Sequence, residues 1–181
     1  MKIFITGATG YLGYHIACQC LAERHQVLCL RRSTSKSLFD AEQECKIQWV
    51  TINEAGWKKI VKSFAPDALI HAAWGGVRGA GREDEDIQKQ NILMSNLLFT
   101  LYPYQQIIAI GSQAEYGYYE GPVSEDHELH PIMKYAQAKC VVQHELQTYC
   151  EKKGIEWQWI RVFTVFGEKQ TGGLISLAIN N

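Results

Sequence analysis

The chain has 181 residues, 46% hydrophobic and 20% charged, with a formal net charge of −1. That suits one domain with a core of its own and leaves no electrostatic footprint for nucleic acid or an anionic membrane. No apolar run approaches the roughly 18 residues of a membrane span, and the chain start runs straight into a core strand, so no signal peptide is expected. The cysteines (Cys18, Cys20, Cys29, Cys45, Cys140, Cys150) form no C-x-x-C pair, which points to free thiols in a reducing cytoplasm.

In chain order, an apolar run (Ile3, Phe4, Ile5) stops in a turn carrying Gly7, Gly10 and Gly13, and an amphipathic stretch begins at Tyr11. Strand, glycine turn and helix together form the geometry that holds a dinucleotide pyrophosphate. Glycines admit the phosphates close to the backbone, and the helix N-terminus offers unpaired N–H groups. The spacing is G-x-x-G-x-x-G, one residue longer in its first gap than the usual fingerprint. A helix is expected over 11–23, a second strand over 26–30 followed by Arg31 and Arg32, and a short third strand over 46–52. A helix over 54–64 stops before Pro66, and a buried strand over 67–71 leads into Ala72-Ala73-Trp74-Gly75-Gly76. Then come a helix over 87–102, a strand over 107–110 ending at Gly111-Ser112, and a long loop over 113–130. Pro131 suits the first turn of a helix to about 153, with Gly154 as its cap. A sixth strand over 155–162, a Gly172-Gly173 turn and an apolar helix from Leu174 complete the chain. Strands alternating with helices predict an α/β fold, a Rossmann-type doubly wound parallel sheet with helices on both faces.

Within the long helix, Tyr135 and Lys139 are four residues apart and share a face. A cation beside a phenol favours the phenolate, which makes the tyrosine a usable acid/base. Taken alone, such a pair is more often a solvated helix face, and Ser112 more often a plain strand-end hydroxyl. Together, a hydroxyl at the end of a central strand and a Tyr/Lys pair on the next helix point at the crevice where open α/β sheets bind ligands.

With these motifs in this order, the chain resembles the extended branch of the short-chain dehydrogenase/reductase superfamily, the nucleotide-sugar epimerases, dehydratases and reductases. The matching stretches are residues 6–13, residues 67–73, the Asn91-containing helix, residues 111–117, the Tyr135-x-x-x-Lys139 pair and residues 161–167. The resemblance implies that Gly7, Thr9, Gly10, Tyr11, Leu12 and Gly13 form a cofactor loop. It places His71, Ala72, Ala73 and Asn91 beside the cofactor. Tyr135 becomes the acid/base, Lys139 the holder of the nicotinamide ribose, and Ser112 the hydrogen-bond partner of the reacting oxygen. Residues 1–170 become the NAD(P)-binding domain, and 171–181 the start of a truncated C-terminal substrate region.

Cofactor choice follows from charge. An acid after the second strand binds the ribose hydroxyls of NAD, whereas arginine accommodates a 2′-phosphate. Arg31 and Arg32 stand there with no acid until Asp40, so NADP(H) is favoured over NAD(H); the competing reading is a solvated arginine pair. Where relatives place an adenine-contacting aspartate, this chain has Thr51, with Ile52 beside it, or Asn53. His71 reads as a packed, hydrogen-bonded histidine, and the other histidines lack metal-site spacing, so no metal is expected. Trp74 is a sugar-stacking platform or a loop anchor.

Dehydratases of the family carry Asp-Glu after the active-site hydroxyl; Gln113-Ala114 here disfavours dehydration. What the resemblance leaves is a 4-keto reductase or 4-epimerase acting on a nucleoside-diphosphate sugar, with a homodimer left open as the assembly. The alternative is a truncated, catalytically weak dinucleotide-binding or redox-sensing module.

Overall fold

The computed structural model describes residues 1–170, and the expected glycine turn at 172–173 and the helix from Leu174 lie outside them. The elements are β1 (Lys2–Thr6), α1 (Tyr11–Ala22), β2 (Gln26–Arg31), α2 (Ala41–Cys45), β3 (Gln48–Thr51) and α3 (Trp57–Phe64), then β4 (Ala68–His71), α4 (Glu85–Phe99), β5 (Gln106–Ser112), α5 (Lys134–Lys153) and β6 (Glu156–Val162). One-turn 3-10 helices, Gly79–Arg82 and Gln113–Tyr116, interrupt the two longest loops. All strands are parallel, in the order β3-β2-β1-β4-β5-β6. Among the described residues no helix is long and apolar enough to cross a membrane.

The period of two along each strand feeds two cores. Ile3, Ile5, Val27, Cys29 and Ile70 point to the face that α1 covers with Ala17 and Cys20. Phe4, Leu28, Leu30, Leu69, Ile107 and Ala109 point to the other face, under α3, α4 and α5. The chain lays β2 and β3 to one side of β1, then crosses back to lay β4, β5 and β6 on the other. The topological switch therefore falls between β1 and β4, the place where ligands bind in such sheets.

Several boundaries differ from expectation for local reasons. The helix expected from residue 54 begins at Trp57, because Gly56 at φ 85 stands as its left-handed N-cap. The stretch before β3 is the helix α2, nucleated by an Asp40/Gln43 capping box. Pro131 lies ahead of α5, whose cap is Met133. The long strand β5 carries Ser112 as its last residue.

Candidate active site at the sheet switch point

The first wall is the turn after β1. Gly7 adopts φ 80, and Gly10 donates its N–H to the Gly7 carbonyl at 2.9 Å. Helix α1 then starts with no side-chain cap and no acid in its first turn. Its leading N–H groups and positive dipole end are left for an incoming anion. A Cβ on Gly7 would lie 2.6 Å from the Ala73 nitrogen, and one on Gly13 2.2 Å from the Gly7 oxygen. Those are backbone atoms that cannot swing aside, so turn, helix and the β4 end can close together only around glycine. This cradle fits a pyrophosphate.

A crevice of ≈ 380 Å³ opens at the switch point. Of the residues singled out from sequence it is lined by Gly7, Thr9, Gly10, Arg31, Arg32, Ile52, His71, Ala72, Ala73 and Asn91. Tyr11, Leu12 and Gly13 form the first turn of α1. Thr51 ends β3 opposite Arg31 and is outside the lining. Sequence reasoning missed Leu30, Ser35, Gln90, Met94 and Leu98. Helical spacing on α4 was the available signal, since Asn91, Met94 and Leu98 fall on the face of that helix turned to the sheet.

Buried polar groups stiffen this wall. Ser95 donates to the Asn91 carbonyl at 2.8 Å, so its oxygen accepts from His71 Nε2 at 3.0 Å. That leaves His71 Nδ1 to accept the Thr6 hydroxyl at 2.7 Å, and Thr6 Oγ1 accepts the Ala73 N–H at 3.3 Å. Burial, helped by the charge of Lys139, pushes the His71 pKa down to about 3, so the ring is neutral. It is packed and hydrogen-bonded, as its setting in the sequence suggested. Asn91 spends its amide on the loop, accepting from Gly75 N–H and donating to the Gly75 carbonyl, each at 2.9 Å. Arg31 is partly occupied: it reaches Glu44 at 3.3 Å and stacks over the Trp49 ring at 4.8 Å. Arg32 is exposed at the crevice edge.

Across Trp74 from the crevice, Ser112, Tyr135 and Lys139 come together. Strand β4 ends opposite Ala109, so among the described residues the rest of β5 has no strand neighbour on that side. There Lys139 Nζ donates to the Ile110 carbonyl at 2.5 Å and sits 3.7 Å over the Trp74 ring. The Trp74 ring meets Tyr135 edge-on at 6.1 Å, and its Nε1 donates to Gln88 Oε1 at 2.9 Å. Trp74 is thus both an anchor of its loop and a wall of the site. The Ser112 hydroxyl acts to lower the Tyr135 pKa, Ala114 of the turn after it packs in one cluster with Tyr135, and Arg82 lies 4.9 Å from the Tyr135 ring.

The electrostatics differ from the simple Tyr/Lys picture. Burial raises the Tyr135 pKa, and the Ser112 hydroxyl and the Arg82 charge offset only part of that. Burial also brings the Lys139 ammonium down to about 7, against an upward pull from Glu115. From the protein's own groups the phenol is held protonated, because desolvation outweighs the neighbouring cations. Among the described residues no group of three or more His, Cys, Asp or Glu side chains converges as a metal site.

Comparison with known proteins agrees with this fold. A family model described as the NAD dependent epimerase/dehydratase family matches residues 3–181. The chain is similar to a UDP-glucose 4-epimerase of Lactobacillus helveticus, at 24% identity over 96% of this chain and 54% of that one. It is also similar to a dTDP-6-deoxy-L-talose 4-dehydrogenase (NAD(+)) of Aggregatibacter actinomycetemcomitans, at 24% identity over 93% of this chain and 63% of that one. In fold it resembles the UDP-glucose 4-epimerase of Thermotoga maritima solved with UDP-glucose, with TM-score 0.85, 19% identity, and coverage of 98% of this chain and 61% of that one. The UDP-glucose 4-epimerase of Thermus thermophilus complexed with NAD gives TM-score 0.84 at 21% identity, over 99% of this chain and 61% of that one. The chain spans 54% to 63% of the length of these curated relatives.

Proposed function

This chain belongs to the NAD dependent epimerase/dehydratase family, and from that premise we propose that it is a nucleotide-sugar oxidoreductase or epimerase, of the 4-keto reductase or 4-epimerase type. The observation that carries this reading is the meeting of Ser112, Tyr135 and Lys139 at the end of β5, beside the switch-point crevice. A nicotinamide cofactor supplies the hydride chemistry when bound. Tyr135 gives its phenolic proton to a sugar carbonyl oxygen as the carbon is reduced, or takes one as an alcohol is oxidised. Ser112 Oγ hydrogen-bonds that oxygen, and Lys139 in its charged form holds the nicotinamide ribose and favours the phenolate. A phenol raised by burial rests as the acid, which suits proton donation and so the reductive direction.

At the adenosine end, Arg31 and Arg32 support NADP(H) over NAD(H), with Arg32 taking the larger share because Arg31 is tied to Glu44. The names of the relatives, acting on UDP- and dTDP-linked sugars, support a nucleoside-diphosphate sugar as substrate.

The test uses the full chain. NADH and NADPH are titrated by fluorescence, then UDP- and dTDP-linked 4-keto sugars are supplied and the products analysed. Tyr135→Phe is expected to cut turnover by at least ~100-fold while cofactor affinity stays within a few fold. Cofactor binding without turnover, unaltered by Tyr135→Phe, would support the dinucleotide-binding module instead. NADH binding tighter than NADPH would remove the arginine argument.

A further inference from the structure

The 3-10 turn that follows Ser112 carries a carboxylate that the chemistry above leaves unused. Glu115 is fully buried, with 0% exposure. Its Oε1 accepts the backbone N–H of Ser112 at 2.6 Å. Its Oε2 accepts Trp159 Nε1–H at 2.9 Å and Arg161 Nε–H at 2.8 Å. Arg161 extends the network, donating to Gln143 Oε1 at 2.8 Å and to the Tyr116 hydroxyl at 3.4 Å. The Ser112 hydroxyl accepts the Ala114 N–H at 3.2 Å and so closes a capping box with Glu115. One carboxylate thereby joins the end of β5, the turn after it and β6, and through Arg161 reaches α5. Gly111 leaves the room: a Cβ there would lie 2.3 Å from Trp159 Nε1 and 2.8 Å from Glu115 Oε1.

We propose that Glu115 is a positioning residue of the acid/base site, holding the Ser112 main chain, and with it the hydroxyl, beside Tyr135 while placing a negative charge on the Trp159 indole that Lys139 also approaches. The proposal rests on the reading of Ser112, Tyr135 and Lys139 as the reacting groups. Stability alone does not require a charge here, since well-packed apolar residues often replace a buried ion pair at no loss. What an apolar residue could not do is accept the Ser112 N–H and attract the ammonium.

The groups that face Lys139 come from every neighbouring element. His71 on β4 is neutral, and the Ile110 carbonyl on β5 accepts the ammonium proton. The Trp74 and Trp159 rings lie 3.7 and 5.7 Å away. Tyr135, on the same helix as Lys139, lies under the Arg82 guanidinium, and Cys140 stands next to Lys139 with its thiol pushed up by burial. Arg161 on β6 is paired with Glu115. Glu115 supplies the charge that pulls Lys139 upward against burial.

The test reads both effects directly by NMR on the full chain labelled in lysine and in the backbone amides, with Lys139 assigned through Lys139→Arg. Glu115→Gln is expected to lower the Lys139 titration midpoint by about one pH unit, a roughly tenfold loss of proton affinity. It should also move the Ser112 amide proton upfield as its charge-assisted hydrogen bond is lost. Glu115→Asp keeps the charge on a shorter arm, so the Ser112 signal should move while the Lys139 midpoint stays within a few tenths of a unit. A purely structural Glu115 would lower the melting temperature in both variants and move the Ser112 amide with its lost acceptor, but leave the Lys139 midpoint in place in Glu115→Gln, which overturns the proposal. Should Glu115→Gln fail to fold, an unmoved Ser112 amide in folded Glu115→Asp overturns it alone. NADH titration of the same unsubstituted sample separates the two ideas. Failure to bind cofactor removes the functional reading without altering either NMR signal.

Discussion

His71 carries the consequence of burial for a single residue. The ring ends a strand between Thr6 and Ser95, and its pKa falls to about 3 in the folded chain, whereas an unfolded chain takes up the proton near the ordinary value of roughly 6.5. Above that value the ring is neutral in both states and its contribution to stability is unaffected. As pH falls through the window between the two values, only the unfolded chain gains a proton, and folding loses roughly 1.4 kcal/mol per pH unit from this group. His71→Asn retains hydrogen-bonding capacity and does not titrate, so denaturant melts from pH 7 to pH 4 should show a shallower acid limb than in the unsubstituted chain. Equal limbs would mean that another group dominates acid unfolding. Tyr135 obeys the same rule with the opposite sign of charge: burial favours its neutral form. That is why the depressed phenol expected from its spacing to Lys139 is instead a raised one.

At the level of elements, the opening strand–turn–helix is the least negotiable part of the chain. The three glycines of the turn look alike in sequence, yet the space around them differs. A Cβ at Gly13 would lie 2.2 Å from the Gly7 oxygen, whereas at Gly10 the nearest atom is 3.3 Å away. Gly13→Ala must push α1 off the turn, at a cost of about 1–3 kcal/mol, and should weaken cofactor binding at least tenfold. Gly10→Ala should cost well under half as much stability. Thermal melts and NADH titrations of the two variants check this order, and equal losses would contradict it. Other elements were legible only in outline. Periodicity located α3, α4 and α5 but not their first turns, because Gly56, Asp84 and Met133 set those starts through cap geometry that a hydrophobic pattern does not encode. The short helix α2 went unread because five residues with no buried side chain leave no periodic trace.

For the molecule as a whole, the strand order brings the ends of β1, β2 and β4 to one crevice, so a cofactor bound there touches three of the six strands. Saturation at a hundred times the dissociation constant should stabilise the chain by ~2.7 kcal/mol, raising the melting temperature by roughly 5–10 °C in one cooperative transition. A two-step melt in which only one part shifts would mean that the halves of the sheet are uncoupled. By itself the sequence determined the alternation of strands and helices, the glycine cradle and the i, i+4 pairing of Tyr135 with Lys139. All three are written in short-range spacing. The tertiary structure alone decided that Glu115 meets Arg161 across 46 residues, that Thr6 and Ser95 set the His71 tautomer, and that desolvation sets the sign at Tyr135. Burial and distant partners come into being only when the sheet is assembled, and it is they that give a buried polar group its charge and its direction.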